Sequence, residues 1–175
     1  MNESIILTGP MGSGKSSVGK ILASRLGYRF MDLDALIVEK TGKSINQIFD
    51  DEGEDKFREL ESLVLSSLSG QQRIILSTGG GAVLREENRE QLHALGLVVN
   101  LSATVDELTS RLSKADDRPL LKGDEPLSAR IKRILNERER FYADADIRID
   151  TTGKKLEDVA RKIDKLYLQK QQGVS

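Results

Sequence analysis

The octapeptide Gly9-Pro10-Met11-Gly12-Ser13-Gly14-Lys15-Ser16 constrains this chain more than any other stretch, because a short apolar run (SIILT, 4–8) enters it and a helical pattern leaves it. Glycines let consecutive backbone N–H groups turn inward. The start of the following helix adds partial positive charge, so phosphate oxygens meet donors with no bulky side chain between. In that context the pattern reads as a P-loop, with Gly12, Ser13, Gly14, Lys15, Ser16 and Ser17 around a nucleoside triphosphate. Lys15 would reach the β- and γ-phosphates, and the Ser16 hydroxyl would ligate Mg²⁺. A P-loop gives nucleotide binding but not a function. No Asn-Lys-x-Asp segment exists to read guanine, and the D-x-x-G at Asp50–Gly53 has no strand end before it. A guanine switch is therefore not expected.

Composition removes other classes. Lysine plus arginine number 27 against 28 aspartate plus glutamate, so no broad field favours nucleic acid or an acidic membrane. Any anion must be held by a local site. There is no cysteine and one histidine, which argues against disulfides, thiolate chemistry and zinc. His93 reads as a surface helix residue. No apolar stretch approaches the roughly 18 residues of a membrane span, and the start of the chain lacks a signal-like pattern. A soluble cytoplasmic chain working as a monomer is the default expectation.

Five apolar runs, at 4–8, 28–33, 73–78, 97–101 and 146–150, alternate with stripes of helical spacing. The stripes include Val18, Ile21, Leu22, Leu26 and Phe57, Leu60, Val64, Leu68, with three more between Val105 and Leu166. Such alternation predicts an α/β fold, a parallel sheet covered by helices on both faces, in one domain over 1–175. Ligands in such sheets gather at the carboxyl ends of the strands. Residues 113–125, SKADDRPLLKGDE, fit neither period and read as a mobile loop.

Two strand ends and three arginines invite chemistry. In FMDLDALI, extended alternation puts Asp32 and Asp34 on one side, where paired carboxylates could hold Mg²⁺ and accept a proton from an attacking hydroxyl. The plainer alternative makes Asp34 a helix N-cap and Asp32 a solvated acid. The run RIILSTGGGAVL ends without the acid that many phosphate-transferring enzymes place there; Gly79, Gly80 and Gly81 follow instead. They suit either close approach of a ligand to the backbone or a tight turn. Arg138 falls on the apolar face of the helix carrying Leu127, Ile131, Ile134 and Leu135. It either snorkels to water or meets a buried anion with a two-pronged bond. Arg58 borders a similar face, and Arg118 lies in the loop, where it could neutralise a transferring phosphoryl group or do nothing.

The segments GPMGSGKSSVGKILA, MDLDALIVEKTG, FRELE, STGGGAVL, DDRPLL and NERERFYADAD occur in the order seen in shikimate kinases, and the chain resembles that family over residues 4–168. The resemblance implies a three-layer α/β/α P-loop kinase fold with a five-stranded parallel sheet, a substrate-binding helical region at about 33–61 and a lid at about 113–125. It implies transfer of the ATP γ-phosphate to the 3-hydroxyl of shikimate, with Mg²⁺ as cofactor. By the same resemblance Asp34 faces that hydroxyl, Asp32 lies on the metal side, and Ser77 or Thr78 replaces the missing strand-end acid. Arg58, Arg138 and Gly79–Gly81 bind shikimate, Arg118 is the lid arginine, and Arg111 packs on adenine. Phe57 and Glu61 are the further positions kept from FRELE. Arg140 stands where many relatives have proline, and could compete for the carboxylate. Two rivals remain: a kinase of another hydroxy acid such as gluconate, and a nonenzymatic ATP-responsive regulator.

Overall fold

The computed structural model describes residues 3–113 and 123–173. Its five strands are β1 (Ile5–Thr8), β2 (Arg29–Asp32), β3 (Ile74–Ser77), β4 (Leu97–Ser102) and β5 (Ile147–Asp150). Each lies within or beside an apolar run of the sequence. They pair in parallel in the order β2-β3-β1-β4-β5. The helices are α1 (Lys15–Leu26), α2 (Leu33–Thr41), α3 (Ile45–Ser66), α4 (Glu86–Leu95), α5 (Val105–Leu112), α6 (Leu127–Tyr142) and α7 (Leu156–Gln171).

The central strands are buried on both faces, and their pleat divides the core in two. Ile6, Leu76 and Val98 point to one side and pack with Leu33 and Ile37 of α2, Phe57, Val64 and Leu65 of α3, and Leu92 of α4. Ile5, Leu7, Ile75 and Val99 point to the other, against Val18 and Leu22 of α1 and Val159 and Ile163 of α7. Each such fully buried aliphatic side chain stabilises by about 1.5–3 kcal/mol, which makes these two layers the main source of stability. A smaller cluster of Leu108, Leu112 and Ile131 joins α5 to α6 and takes in Met11, so the P-loop is roofed by this helix pair. Strand β1 sits between the strands laid down to either side of it, and its carboxyl end opens into the crevice where ligands collect.

One element is longer than its sequence pattern suggests. The stripe from Phe57 is only the second half of α3, which begins at Ile45 behind a capping box between Ser44 and Gln47. At Gly53 the backbone leaves helical geometry (φ 83°, ψ 172°), so two helices meet end to end there. The polar run around Gly53 conceals the first half. No helix among the described residues is long and apolar enough to cross a membrane.

Candidate active site

Helix α1 begins on Gly14, which adopts a left-handed conformation (φ 95°) and supplies no side-chain cap. The first-turn N–H groups therefore face outward with no side-chain oxygen bound to them, the arrangement that favours a phosphate. Lys15 folds back across the loop, donating to the carbonyl oxygens of Gly9 (2.8 Å) and Pro10 (2.7 Å). Ser13 braces the same turn through Pro10 O at 2.8 Å, and Ser17 lines the cleft beside it.

Sheet register brings the next group together. Ser77, the last residue of β3, stands opposite Asp32 of β2 on one side and Leu7 of β1 on the other. The Ser16 hydroxyl donates to Asp32 Oδ2 at 2.8 Å and, its proton so committed, accepts from Ser77 Oγ at 3.1 Å. A hydroxyl thus occupies the strand-end position where an acid was sought, and Asp32 supplies the carboxylate from the neighbouring strand. Thr78 turns away, its hydroxyl donating to Leu7 O at 3.1 Å. One carboxylate and two hydroxyls suit Mg²⁺, which keeps waters and phosphate oxygens in its shell rather than taking an all-protein cage.

The two aspartates do not share a strand face as alternation predicted. Strand β2 stops at Asp32, which is itself the N-cap of α2 and accepts from Ala35 N at 3.2 Å. Asp34 lies in the first helical turn, so the capping role belongs to Asp32. Helix geometry turns Asp34 towards the glycines: a Cβ placed on Gly79 would stand 3.2 Å from Asp34 Oδ1 and 3.1 Å from Glu61 Oε1.

The opposite wall is cationic. Arg138 is only 7% exposed, which overturns the snorkelling alternative, and a Cβ on Gly80 would sit 3.4 Å from its guanidinium. Arg58, also 7% exposed, lies flat on Gly81: an added Cβ would come within 2.5 Å of its Cζ. Fully buried Glu61 accepts from Arg58 at 3.0 Å, and Glu54 accepts from it at 3.1 Å. Burial pushes the Glu61 carboxyl above the ordinary glutamate range, against the lowering effect of Arg58. Tyr142 fixes the glycine run from behind by donating to Gly80 O at 2.7 Å; burial raises its hydroxyl pKa, opposed by Arg138. Arg140 does not compete for an anion here. It is exposed and stacks on Phe141 at 4.5 Å, and α6 continues to Tyr142 through the position where relatives have proline.

Arg111 is not the solvated residue that its helix position suggests. It clasps Glu107 through two nitrogens (2.7 and 3.0 Å) and donates to Gly12 O (3.0 Å) and Thr151 O (3.2 Å). It thereby ties α5 and the β5–α7 turn to the P-loop. Arg118 and most of the expected lid lie outside the described residues. Glu54 and Tyr142 were absent from the sequence-derived site; the place of Tyr142 on the apolar face of α6, one turn after Arg138, was the available signal. His93 is partly exposed and binds Asp144 O at 3.1 Å, away from the cleft.

Lys15, Ser16, Ser17 and Asp32 line one cleft of about 520 Å³ at the P-loop end, and Asp34, Arg58, Arg138 and Gly79–Gly81 line it at the other. A P-loop on a β2-β3-β1-β4-β5 parallel sheet, its cleft continuing to two buried arginines, defines a P-loop kinase of a small molecule. A sequence model described as shikimate kinase matches residues 11–167. The chain belongs to the shikimate kinase family. It is 57% identical to a shikimate kinase of Geobacter metallireducens over 92% of this chain and 89% of that protein. A second, from Geobacter sulfurreducens, is 53% identical over 92% and 88%. Among solved structures, the shikimate kinase of Acinetobacter baumannii in complex with shikimate superposes with a TM-score of 0.92 at 38% identity, covering 97% of this chain and 95% of that one.

Proposed function

We propose that this enzyme transfers the γ-phosphate of ATP to the 3-hydroxyl of shikimate, giving shikimate 3-phosphate and ADP. The observation that carries the reading is the division of one cleft between a phosphate cradle and a wall that presents Asp34 beside two buried arginines. Arg58 and Arg138 hold the carboxylate of shikimate by charge-assisted bonds, which fixes the ring against Gly79–Gly81. That clamp directs a ring hydroxyl at Asp34. Asp34 orients the hydroxyl and takes its proton as the oxygen attacks Pγ; the new O–P bond forms while the bond to the ADP oxygen breaks in line.

On the nucleotide side the N–H groups of the α1 start and Lys15 bind the phosphates. Lys15 must leave the Gly9 and Pro10 carbonyls to do so, exchanging neutral acceptors for a charged one. Ser16 and Asp32 would hold Mg²⁺, which when bound neutralises charge between the β- and γ-phosphates. Arg118 is assigned to the transferring phosphoryl group by family resemblance. Arg111 braces the P-loop and is assigned to adenine by the same resemblance.

Coupled ADP release tests the proposal. Shikimate should stimulate ADP formation far above the rate with ATP alone, and gluconate should not. Stimulation by gluconate in its place would select the rival substrate; tight shikimate binding without ADP would point to a regulator.

A further inference from the structure

Arg58 carries two carboxylate partners of unlike character. Glu61, three residues on, is fully buried and takes one terminal nitrogen at 3.0 Å. Glu54, one turn earlier, takes the other terminal nitrogen, NH2, at 3.1 Å, yet its side chain is 47% exposed. The NH2 and Nε hydrogens form one edge of the planar fork, and Nε is buried without a hydrogen bond. Glu54 therefore uses half of an edge that a well-placed carboxylate could take with both oxygens. Occupancy leads the same way. Arg58 already carries two carboxylates, Glu61 and Glu54, so a further acid finds its terminal nitrogens occupied unless one carboxylate leaves.

Of the two carboxylates bonded to Arg58, Glu54 is the one free to go, because its side chain reaches water while Glu61 is fully buried. Glu54 follows Gly53, where the helix is interrupted, so its own backbone is not locked into a continuous α3. We propose that Glu54 is an internal counter-anion for Arg58 that the carboxylate of the substrate displaces, so that Glu54 sets the affinity of the site for its acid. This rests on the reading of the cleft as a shikimate site. It makes Glu54 a positioning residue that acts through Arg58 and never touches the reacting hydroxyl.

Shikimate KM and kcat of Glu54→Gln and Glu54→Asp, measured at saturating ATP, test it. Glu54→Gln removes the competing charge and keeps the shape. An exposed ion pair of this kind is weak, so KM should fall roughly two- to fivefold with the change confined to KM. Glu54→Asp keeps a negative charge at the helix start but is too short for the same bond, and should follow Glu54→Gln. An unchanged KM, or one that rises because Glu54 orients Arg58 for the substrate, overturns the proposal. So does a shortened side chain that behaves as wild type. A wild-type enzyme that releases no ADP with shikimate defeats the functional reading itself, and this inference with it; active wild type with unaltered variants defeats the inference alone.

Discussion

Asp32 and Asp34 stand two residues apart and point to different work because the chain changes from strand to helix between them. Asp32 spends one oxygen on capping α2 and the other on Ser16, whereas Asp34 turns into the cleft over Gly79. Asp34→Asn should lower kcat by roughly a hundredfold or more, the usual scale for losing a positioned base, with ATP affinity retained; single-turnover kinetics and nucleotide titration measure the two. Gly81→Ala has no room for its methyl against the Arg58 guanidinium. It should raise shikimate KM about tenfold or more while ATP KM moves little, which steady-state kinetics in each substrate will show. Glu61 carries a pH signature. Its folded pKa lies above the unfolded one, so its contribution to stability is present below the ordinary glutamate range and is lost as pH rises through the folded value. Urea midpoints of wild type minus Glu61→Gln, which does not titrate, should therefore fall from acid towards neutral pH.

Helix α3 is where sequence and structure diverge most, and the reason is local. Its first half carries the Ser44 cap and the Ile45 and Phe49 side chains that line the cleft, but the acidic run from Asp50 to Asp55 and the glycine within it mask the period. Gly53 adopts a region of backbone space essentially reserved for glycine, with a cost of about 1–3 kcal/mol for other residues. Gly53→Ala should lower the melting temperature by several degrees in calorimetry, and should weaken shikimate binding because the cleft-lining half hangs from that joint. The strands, in contrast, were readable almost to the residue, since the buried central strands β1, β3 and β4 are short apolar runs that end where the chain must turn. Helix α2 was open in outline only: a polar residue two places after a strand belongs to either element by pattern, and capping decided it.

At the scale of the whole molecule, ligands at the two ends of one cleft join α1, α2, α3 and α6 across the sheet. Binding to the folded state alone stabilises by about 2.7 kcal/mol when ligand stands at a hundred times its Kd. Shikimate and Mg-ATP analogue should each raise the melting temperature by roughly 5–10 °C under that condition, and a thermal-shift titration that shows no response to shikimate would count against the site. The P-loop, the five strands, and the presence of a charge on an apolar helix face at Arg138 were set by the sequence itself, because each depends on neighbours within a few residues. Only tertiary structure decided that Arg138 is buried rather than snorkelling, that Ser77 meets Asp32 and Ser16, that Arg58 lies on Gly81, and that Arg111 grips a P-loop 99 residues earlier in the chain. Those meetings depend on strand order and register, and on which distant surfaces exclude water together, and local periodicity carries no record of either.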